Sequence, residues 1–309
     1  MTPRVSIVIP TFDAGPRLEE VLSALASQDC GVPFEIVAID SGSTDGTVER
    51  LVRHRVDVLK AGRFNHGETR NAALAHVRGD FAILLVQDAV PASRTWLTAL
   101  LEPLLDDATV AGTFARQVAA AGASSLTTHN LAEWVATGLE RRTAGPLTRD
   151  EFDRMSPWER HAVCAFDNVC SCIRVSVWRE RPFRKTAIAE DLEWARDVLL
   201  AGHRLVYTPA AAVVHSHERP VRYELQRTYL VHQRLQALFG LSTIPSVASL
   251  VRSVGSTVAA NARIAARDRA GRARAILRAA ALGVAVPLGQ YLGAKSAREG
   301  RELLRTSGI

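Results

Sequence analysis

The chain has 309 residues, 47% of them hydrophobic and 23% charged. That balance is normal for a globular protein and excludes wholesale disorder. The formal net charge of +6 is unevenly placed: residues 220–309 hold 14 Lys+Arg against 4 Asp+Glu, and residues 1–219 hold the other 24 against 28. A basic tail on a mildly acidic body suggests an anionic partner for the tail only.

The first ten residues lead straight into a strand, with no basic, apolar and cleavable sequence before it, so no signal peptide is expected. Residues 5–10 (VSIVIP) form a continuous β-branched run, as in a buried parallel strand. Gly15-Pro16 breaks the chain, and a helix is expected from about 17 to 28, with Leu18, Val21, Leu22 and Leu25 on one face. A second buried strand covers 34–39 (FEIVAI). The polar turn from Asp40 to Asp45 opens a helix over about 46–54. A short strand at 56–59 and a helix at 67–77 follow. A fourth strand, 81–86 (FAILLV), ends at Gln87-Asp88. Residues 93–105 read as a helix and 110–115 as a strand. The stretch 120–160 is polar, Gly-rich and weakly periodic, which suggests a mobile insertion or acceptor loop with short helices. Strand 166–175, helix 189–201 and strand 204–207 complete the body. From 221 on the pattern is helical and rich in Ala and Arg, broken near 242–245 and at Pro287.

Alternating strand and helix predicts an α/β fold with a mostly parallel sheet covered on both faces. A boundary is placed at residue 220, with a body over 1–220 and a basic α-helical region over 221–309. The four cysteines give no CxxC pair and no zinc spacing. Buried, reduced thiols of a cytosolic protein are expected, with a redox pair at Cys170 and Cys172 as the alternative.

Ligands of open α/β sheets bind beyond the carboxyl ends of the strands. Thr11, Asp13, Asp40, Ser41, Ser43 and Asp88 sit there. Asp13 and Asp45 can be plain helix caps, but Asp40 and Asp88 each directly follow a buried strand. There is no GxGxxG after the first strand and no GxxxxGK[ST], which argues against a dinucleotide oxidoreductase and a P-loop NTPase. A diphosphate ligand would then need a metal or Arg. Asp88 offers a hard oxygen, and His215 or His217 a nitrogen that suits Mn²⁺ better than Mg²⁺.

The runs VSIVIPTFDAG, IVAIDSGSTDGT, the acid after FAILLVQ, and AEDLEWARDVLLAGHRLVYTP resemble family-2 inverting glycosyltransferases of the GT-A (Rossmann-like) fold, over about residues 4–220. FNHGETRNAAL (64–74), QDAVP (87–91), DNVCSCIRVSVWRERPF (167–183) and VVHSH (213–217) resemble the bacterial rhamnosyltransferase-like branch. The resemblance implies that Pro10, Thr11 and Asp13 cup a nucleobase, with Ser41 beside them, and that Asp40 accepts the base's imide N–H. It implies that Arg70 lies near the base and diphosphate. The family's Asp-x-Asp metal motif here reads Val86-Gln87-Asp88. Gln87 therefore stands where an acid would, on the nucleotide-sugar side, and Asp88 is the expected ligand for Mg²⁺ or Mn²⁺, joined by His215 or His217. Glu190-Asp191 matches the catalytic acid pair, with Asp191 as general base. Trp194 and Asn168 are expected on the acceptor side; for Trp194 a place in the core is the alternative.

The resemblance implies transfer from a nucleotide-sugar donor, favouring dTDP-L-rhamnose, to a glycan or polyprenyl-linked acceptor of a cell surface. A UDP-hexose or UDP-N-acetylhexosamine donor, or a non-catalytic nucleotide-sugar-binding protein, are the alternatives. In the tail, Arg263, Arg267, Arg274 and Arg278 lie within about 60° on an ideal helix. The tail carries no nucleic-acid module, so an anionic membrane surface or a homo-oligomer contact is expected instead. The uncharged run 279–294 has 16 residues, short of the roughly 20 that span a bilayer. Cytoplasmic, peripheral placement on the inner face of the membrane is expected.

Overall fold

The computed structural model describes residues 4–62, 65–134, 136–268 and 271–304; Phe64 of the FNHGETRNAAL stretch and residues 305–309 of the tail lie outside them. The first half alternates as expected: β1 (Val5–Thr11), α1 (Arg17–Ala26), β2 (Phe34–Asp40), α2 (Thr47–Arg53), β3 (Asp57–Lys60), α3 (His66–Leu74) and β4 (Phe81–Leu85). A short β5 (Val90–Pro91), unmarked by any pattern, precedes α4 (Trp96–Asp106) and β6 (Val110–Val118). The polar stretch then folds as α5 (Ser125–Ala132), β7 (Arg142–Ala144), α6 (Arg149–Arg154) and α7 (Pro157–Val163). Capping boxes at Thr148/Glu151 and Ser156/Glu159 start α6 and α7, which gives this weakly periodic segment defined helix ends. β8 (Cys170–Arg174), α8 (Val175–Glu180), α9 (Glu190–Leu199) and β9 (Arg204–Val214) complete the body.

The strands form one mixed sheet in the order β3-β2-β1-β4-β8-β6-β9-β5, with β7 pairing with β9. β1 lies parallel between β2 and β4, and the register sets Thr11 beside Asp40. β8 is shorter than expected and runs antiparallel between β4 and β6. Just before it, Asp167 and Asn168 turn their side chains to Gln117 and Glu190. β9 runs seven residues beyond the expected end, parallel to β6 across two register shifts, and so delivers His215 to the same edge as β4.

Successive strand side chains point to opposite faces. On β1, Ile7 and Ile9 meet Leu18, Leu22, Trp96 and Leu100 of α1 and α4, whereas Val8 shares a core with Leu74, Trp178, Trp194 and Leu199 on the other face. Each such buried aliphatic side chain contributes about 1.5–3 kcal/mol of transfer free energy. All four cysteines are free thiols, and three are buried. Burial pushes the Cys164 thiol up to about 12 and raises those of Cys170 and Cys172 as well, so these are inert core groups.

The C-terminal helices are α10 (Val221–Phe239), α11 (Val247–Ala265) and α12 (Arg272–Glu299). The expected break between helices forms at Gly240, whose φ of 73° ends α10 in the left-handed region. The expected break at Pro287 does not form: α12 runs through it for 28 residues. Packing holds it, because α12 lies directly against α10. A Cβ on Gly293 would sit 2.2 Å from the Tyr229 carbonyl oxygen, so the two backbones touch there. The uncharged 16-residue run is thus part of a longer helix. Among the described residues, α12 is the one helix long and apolar enough to cross a membrane, with an 18-residue window of mean hydropathy 1.4, a third of it buried. α10 also joins the body: Leu235 and Phe239 enter the core, and Arg234 Nη2 lies 2.6 Å from Glu193 Oε2 on α9.

Candidate active site

At the ends of β1 and β2 the two loops are laced together by side chains. Asp40 is buried and accepts from Thr11 Oγ1 (2.9 Å), Ser43 Oγ (2.5 Å), Gly42 N (3.0 Å) and Ser43 N (2.9 Å). Burial would raise its pKa, but these hydrogen bonds, led by Ser43, outweigh it and hold Asp40 below the usual carboxylate range. Asp13 has a φ of 42°; its N–H donates to Ser43 Oγ, and its carboxylate accepts from Thr44 N. Ser41 donates its N–H to the Thr11 carbonyl, while its hydroxyl is buried with no hydrogen-bond partner among the described residues. Pro10 precedes this pair on β1. Gln87 makes both amide contacts with the Phe12 backbone, accepting from N at 2.8 Å and donating to O at 3.1 Å. A glutamine in the place of an acid therefore clamps the β1 loop, and the Phe12 ring stands 57% exposed above it.

Beyond β4 and β9, Asp88, His215 and His217 each turn one donor atom to a common point, all within 4.8 Å of one another. His217 Nε2 is 3.2 Å from Asp88 Oδ2 and His215 Nε2 is 3.6 Å from Asp88 Oδ1. The two Nε2 atoms are 2.8 Å apart, with the rings perpendicular. Burial lowers both histidines, His217 to about 4, so both imidazoles are neutral at neutral pH and can act as ligands. One carboxylate oxygen and two imidazole nitrogens fit a divalent first-row cation such as Mn²⁺. Arg17 ties the two strand ends together from below, donating Nε–H to the Asp88 carbonyl (3.0 Å) and Nη2–H to the Val214 carbonyl (3.2 Å).

The acid pair opens α9. Its N-cap, Ala189, has a φ of 61° and ψ of 33°, a left-handed conformation that costs a non-glycine residue about 1 kcal/mol. Glu190 is buried and pairs with Arg70 Nη1 at 2.8 Å; Asn168 Nδ2 donates to the same oxygen at 3.2 Å. Burial would raise Glu190, but Arg70 and His66 overcome it and keep the group ionised. Asp191 retains solvent access and accepts from Leu192 N (2.8 Å) and Asn168 N (3.4 Å). Burial, followed by the charges of Glu190 and Asp167, pushes it up to about 8.

The sequence-predicted residues thus fall into three groups: the β1/β2 lacing, the Asp88 cluster, and the Glu190-Asp191 pair. Arg70, expected near the base and diphosphate, lies with its guanidinium against Glu190. Asn168 is buried, with its amide on Glu190 and its carbonyl oxygen accepting from Ser171 Oγ, so it holds the acid pair in place. Trp194 is 2% exposed, stacked among Phe166 and Phe183, with its N–H on the Arg181 carbonyl; it is a core residue and has no open face for an acceptor. The exposed indole tied into the site is Trp134, 43% exposed, whose N–H donates to Asp167 Oδ2 at 3.0 Å. Sequence reasoning missed Trp134, Asp167, Gln117, Arg17 and His66. Gln117 lies at the end of a strand and was open to the strand-end rule, but the run of apolar residues stopped the expected strand two residues short of it.

A polar strand edge, an Asp-His-His cluster and a buried acid pair on this mixed sheet are the features that a GT-A glycosyltransferase is expected to carry. A family model for glycosyl transferase family 2 matches residues 6–164. The O-antigen chain rhamnosyltransferase WbaN of Salmonella anatum is 30% identical over 233 residues, covering 74% of this chain and 70% of that protein. RfbN of Salmonella typhimurium, with the same description, is 29% identical over 234 residues, covering 73% and 70%. Among solved structures, a mannosyltransferase from Pyrobaculum calidifontis in complex with GDP-Man and Mn²⁺ superposes with a TM-score of 0.62 at 19% identity, covering 98% of this chain and 89% of that one. Glucosyl-3-phosphoglycerate synthase from Mycobacterium tuberculosis, solved with Mn²⁺, UDP and glucosyl-3-phosphoglycerate, gives 0.55 at 17%, covering 79% and 82%. The chain belongs to glycosyl transferase family 2, in its rhamnosyltransferase-like branch, and is a glycosyltransferase.

Proposed function

We propose that this enzyme transfers L-rhamnose from dTDP-L-rhamnose, with inversion, to a hydroxyl of an O-antigen-type glycan or its lipid-linked precursor. The observation that carries the reading is the acid pair. Glu190 is held ionised by Arg70, while Asp191 sits beside it, reachable by solvent and pushed up to about 8. A base near the working pH is the effective choice for taking a proton. Asp191 accepts the proton of the acceptor hydroxyl as its oxygen forms a bond to the anomeric carbon. The bond from that carbon to the diphosphate breaks, and the nucleoside diphosphate leaves with the electron pair. A divalent cation held by Asp88, His215 and His217 would neutralise the departing diphosphate.

The β1/β2 lacing orients the donor base. The free Ser41 hydroxyl is a donor for the nucleotide, and Asp40 can accept the imide N–H once a hydroxyl of Thr11 or Ser43 turns away. The rhamnose donor is supported by the likeness to the two Salmonella rhamnosyltransferases. Residues 1–220 are assigned the chemistry. The basic residues of 221–309 are assigned electrostatic contact with the inner face of the membrane, where a lipid-linked acceptor would reside. Retention on anionic vesicles that is lost at high salt is expected of that contact, and unchanged partition between neutral and anionic vesicles would remove it.

The test of the function is a donor screen with dTDP-, UDP- and GDP-sugars, with and without Mn²⁺, scored as nucleoside diphosphate release. Turnover with dTDP-L-rhamnose is expected to exceed turnover with the other donors. Turnover with a UDP-hexose and none with dTDP-L-rhamnose would replace the donor. No turnover with any donor, together with tight nucleotide binding, would make the protein a binding module.

A further inference from the structure

We propose that Asp167 and Gln117 are positioning residues that fix the tautomer of His215 and so present its bare Nε2 to a cation. The inference rests on the metal-assisted reading above. Three N–H donors converge on the buried Asp167 carboxylate: Val169 N on Oδ1 at 2.9 Å, and Gln117 Nε2 at 2.5 Å and Trp134 Nε1 at 3.0 Å on Oδ2. A carboxylate only accepts, so the Gln117 amide must turn its NH₂ towards Asp167. Its carbonyl oxygen, Oε1, is then left facing His215 Nδ1 at 2.8 Å. A carbonyl also only accepts, so the proton of the neutral ring must sit on Nδ1. Nε2 is therefore bare and faces Asp88 and His217.

The direction of every proton in this chain is set from the carboxylate end. Trp134 strengthens the setting, because it holds the Asp167 oxygen that Gln117 uses. His217 differs: its Nε2 is approached by His215, Asp88 and Arg219 Nη2, the last at 3.2 Å. His215 is thus the ligand set in advance, and His217 the one that adapts. A hydrogen-bonded partner on the far nitrogen of a ligating histidine fixes its orientation and tautomer, and losing such a partner lowers metal affinity about 10–100-fold.

The test uses the full-length, metal-free protein and two readouts other than activity. Long-range ¹H–¹⁵N correlation at the histidine rings is expected to find His215 protonated at Nδ1 and bare at Nε2. Electron paramagnetic resonance of free Mn²⁺ during titration gives the affinity for the metal alone. Gln117→Leu should shift His215 towards the Nε2–H tautomer and weaken Mn²⁺ binding about 10–100-fold. Asp167→Leu should do the same where it folds. Asp167→Asn can keep its amide oxygen towards Gln117 and Trp134, losing only the Val169 contact, and should retain the wild-type tautomer and most of the affinity. A proton on His215 Nε2 in the wild type, or wild-type Mn²⁺ affinity in Gln117→Leu, would overturn the proposal. If the wild type binds no Mn²⁺, the metal-assisted reading fails, while the ring spectrum still decides the tautomer.

Discussion

Two sets of carboxylates stand at the ends of one sheet, in opposite surroundings. Around β1 and β2, Asp40 and Asp45 are fed by hydroxyls and backbone N–H groups, and both are held below their usual range. Around β4, β8 and β9, Asp88, Asp167, Glu190 and Asp191 crowd one another and two neutral histidines. There burial, followed by the charges of Glu190 and Asp167, raises Asp191, and Asp88 faces two imidazole nitrogens. Saturation with donors turns a carboxylate into a clamp for two loops. Crowding with other acceptors turns it into a receiver of a proton or a cation. The residue type is the same, and the neighbours decide the role.

The sharpest break of this contrast is Asp191→Asn. Loss of the proton acceptor should lower kcat/KM by about 10²–10⁴-fold, with donor binding kept, as measured by steady-state turnover and calorimetric titration of the donor. The same group fixes a pH dependence. It must be deprotonated to act, so kcat/KM should rise with pH through an apparent value at or below 8, since any cation nearby lowers it. Stability runs the other way. Unfolded Asp loses its proton near 3.9, whereas the folded group holds it to about 8, so its contribution is full at low pH and is lost as pH rises between those values. Asp191→Asn should therefore raise the melting temperature of the metal-free protein at pH 8 while lowering turnover; an unchanged or lower melting temperature would contradict the crowding.

Trp194→Ala tests whether that indole is a core residue. It should cost about 3–5 kcal/mol in denaturant unfolding, while the acceptor KM of the folded fraction stays put; a raised KM with intact stability would return Trp194 to the acceptor side. Asp40→Ala strands two backbone N–H donors, at about 1–3 kcal/mol each, and should weaken donor binding as well. Asp88→Ala, on the crowded side, should weaken Mn²⁺ binding without a comparable loss of stability. If both variants lost stability equally, the contrast between clamp and receiver would fail. The smallest effect is expected from Ala189→Gly, which relieves the left-handed backbone before the acid pair and should stabilise the protein by about 1 kcal/mol.

Much of this was legible beforehand because it is local. The apolar runs at 5–10, 34–39 and 81–86 read as buried strands flanked by helices, and the acids at their ends then fall at a binding edge. Motifs of contiguous residues such as Glu190-Asp191 and His215-x-His217 carried their chemistry in the sequence order. What remained hidden depends on side chains far apart in the chain. The unbroken α12 depends on its packing against α10, with Gly293 on the Tyr229 backbone, and local proline chemistry alone argues for a break. Trp194 could be read as a sugar platform or a core ring until Phe166 and Phe183 closed over it.

The opening charge imbalance shows the same division. Order along the chain alone places the acidic excess in the body and the basic excess in the tail, because counting charge needs no fold. Only the folded chain brings Arg234 of the tail onto Glu193, Arg70 onto Glu190, and Gln117 onto the ring of His215, 98 residues away. Ionisation and hydrogen bonding depend on distances of a few ångströms, and only the folded chain sets those distances.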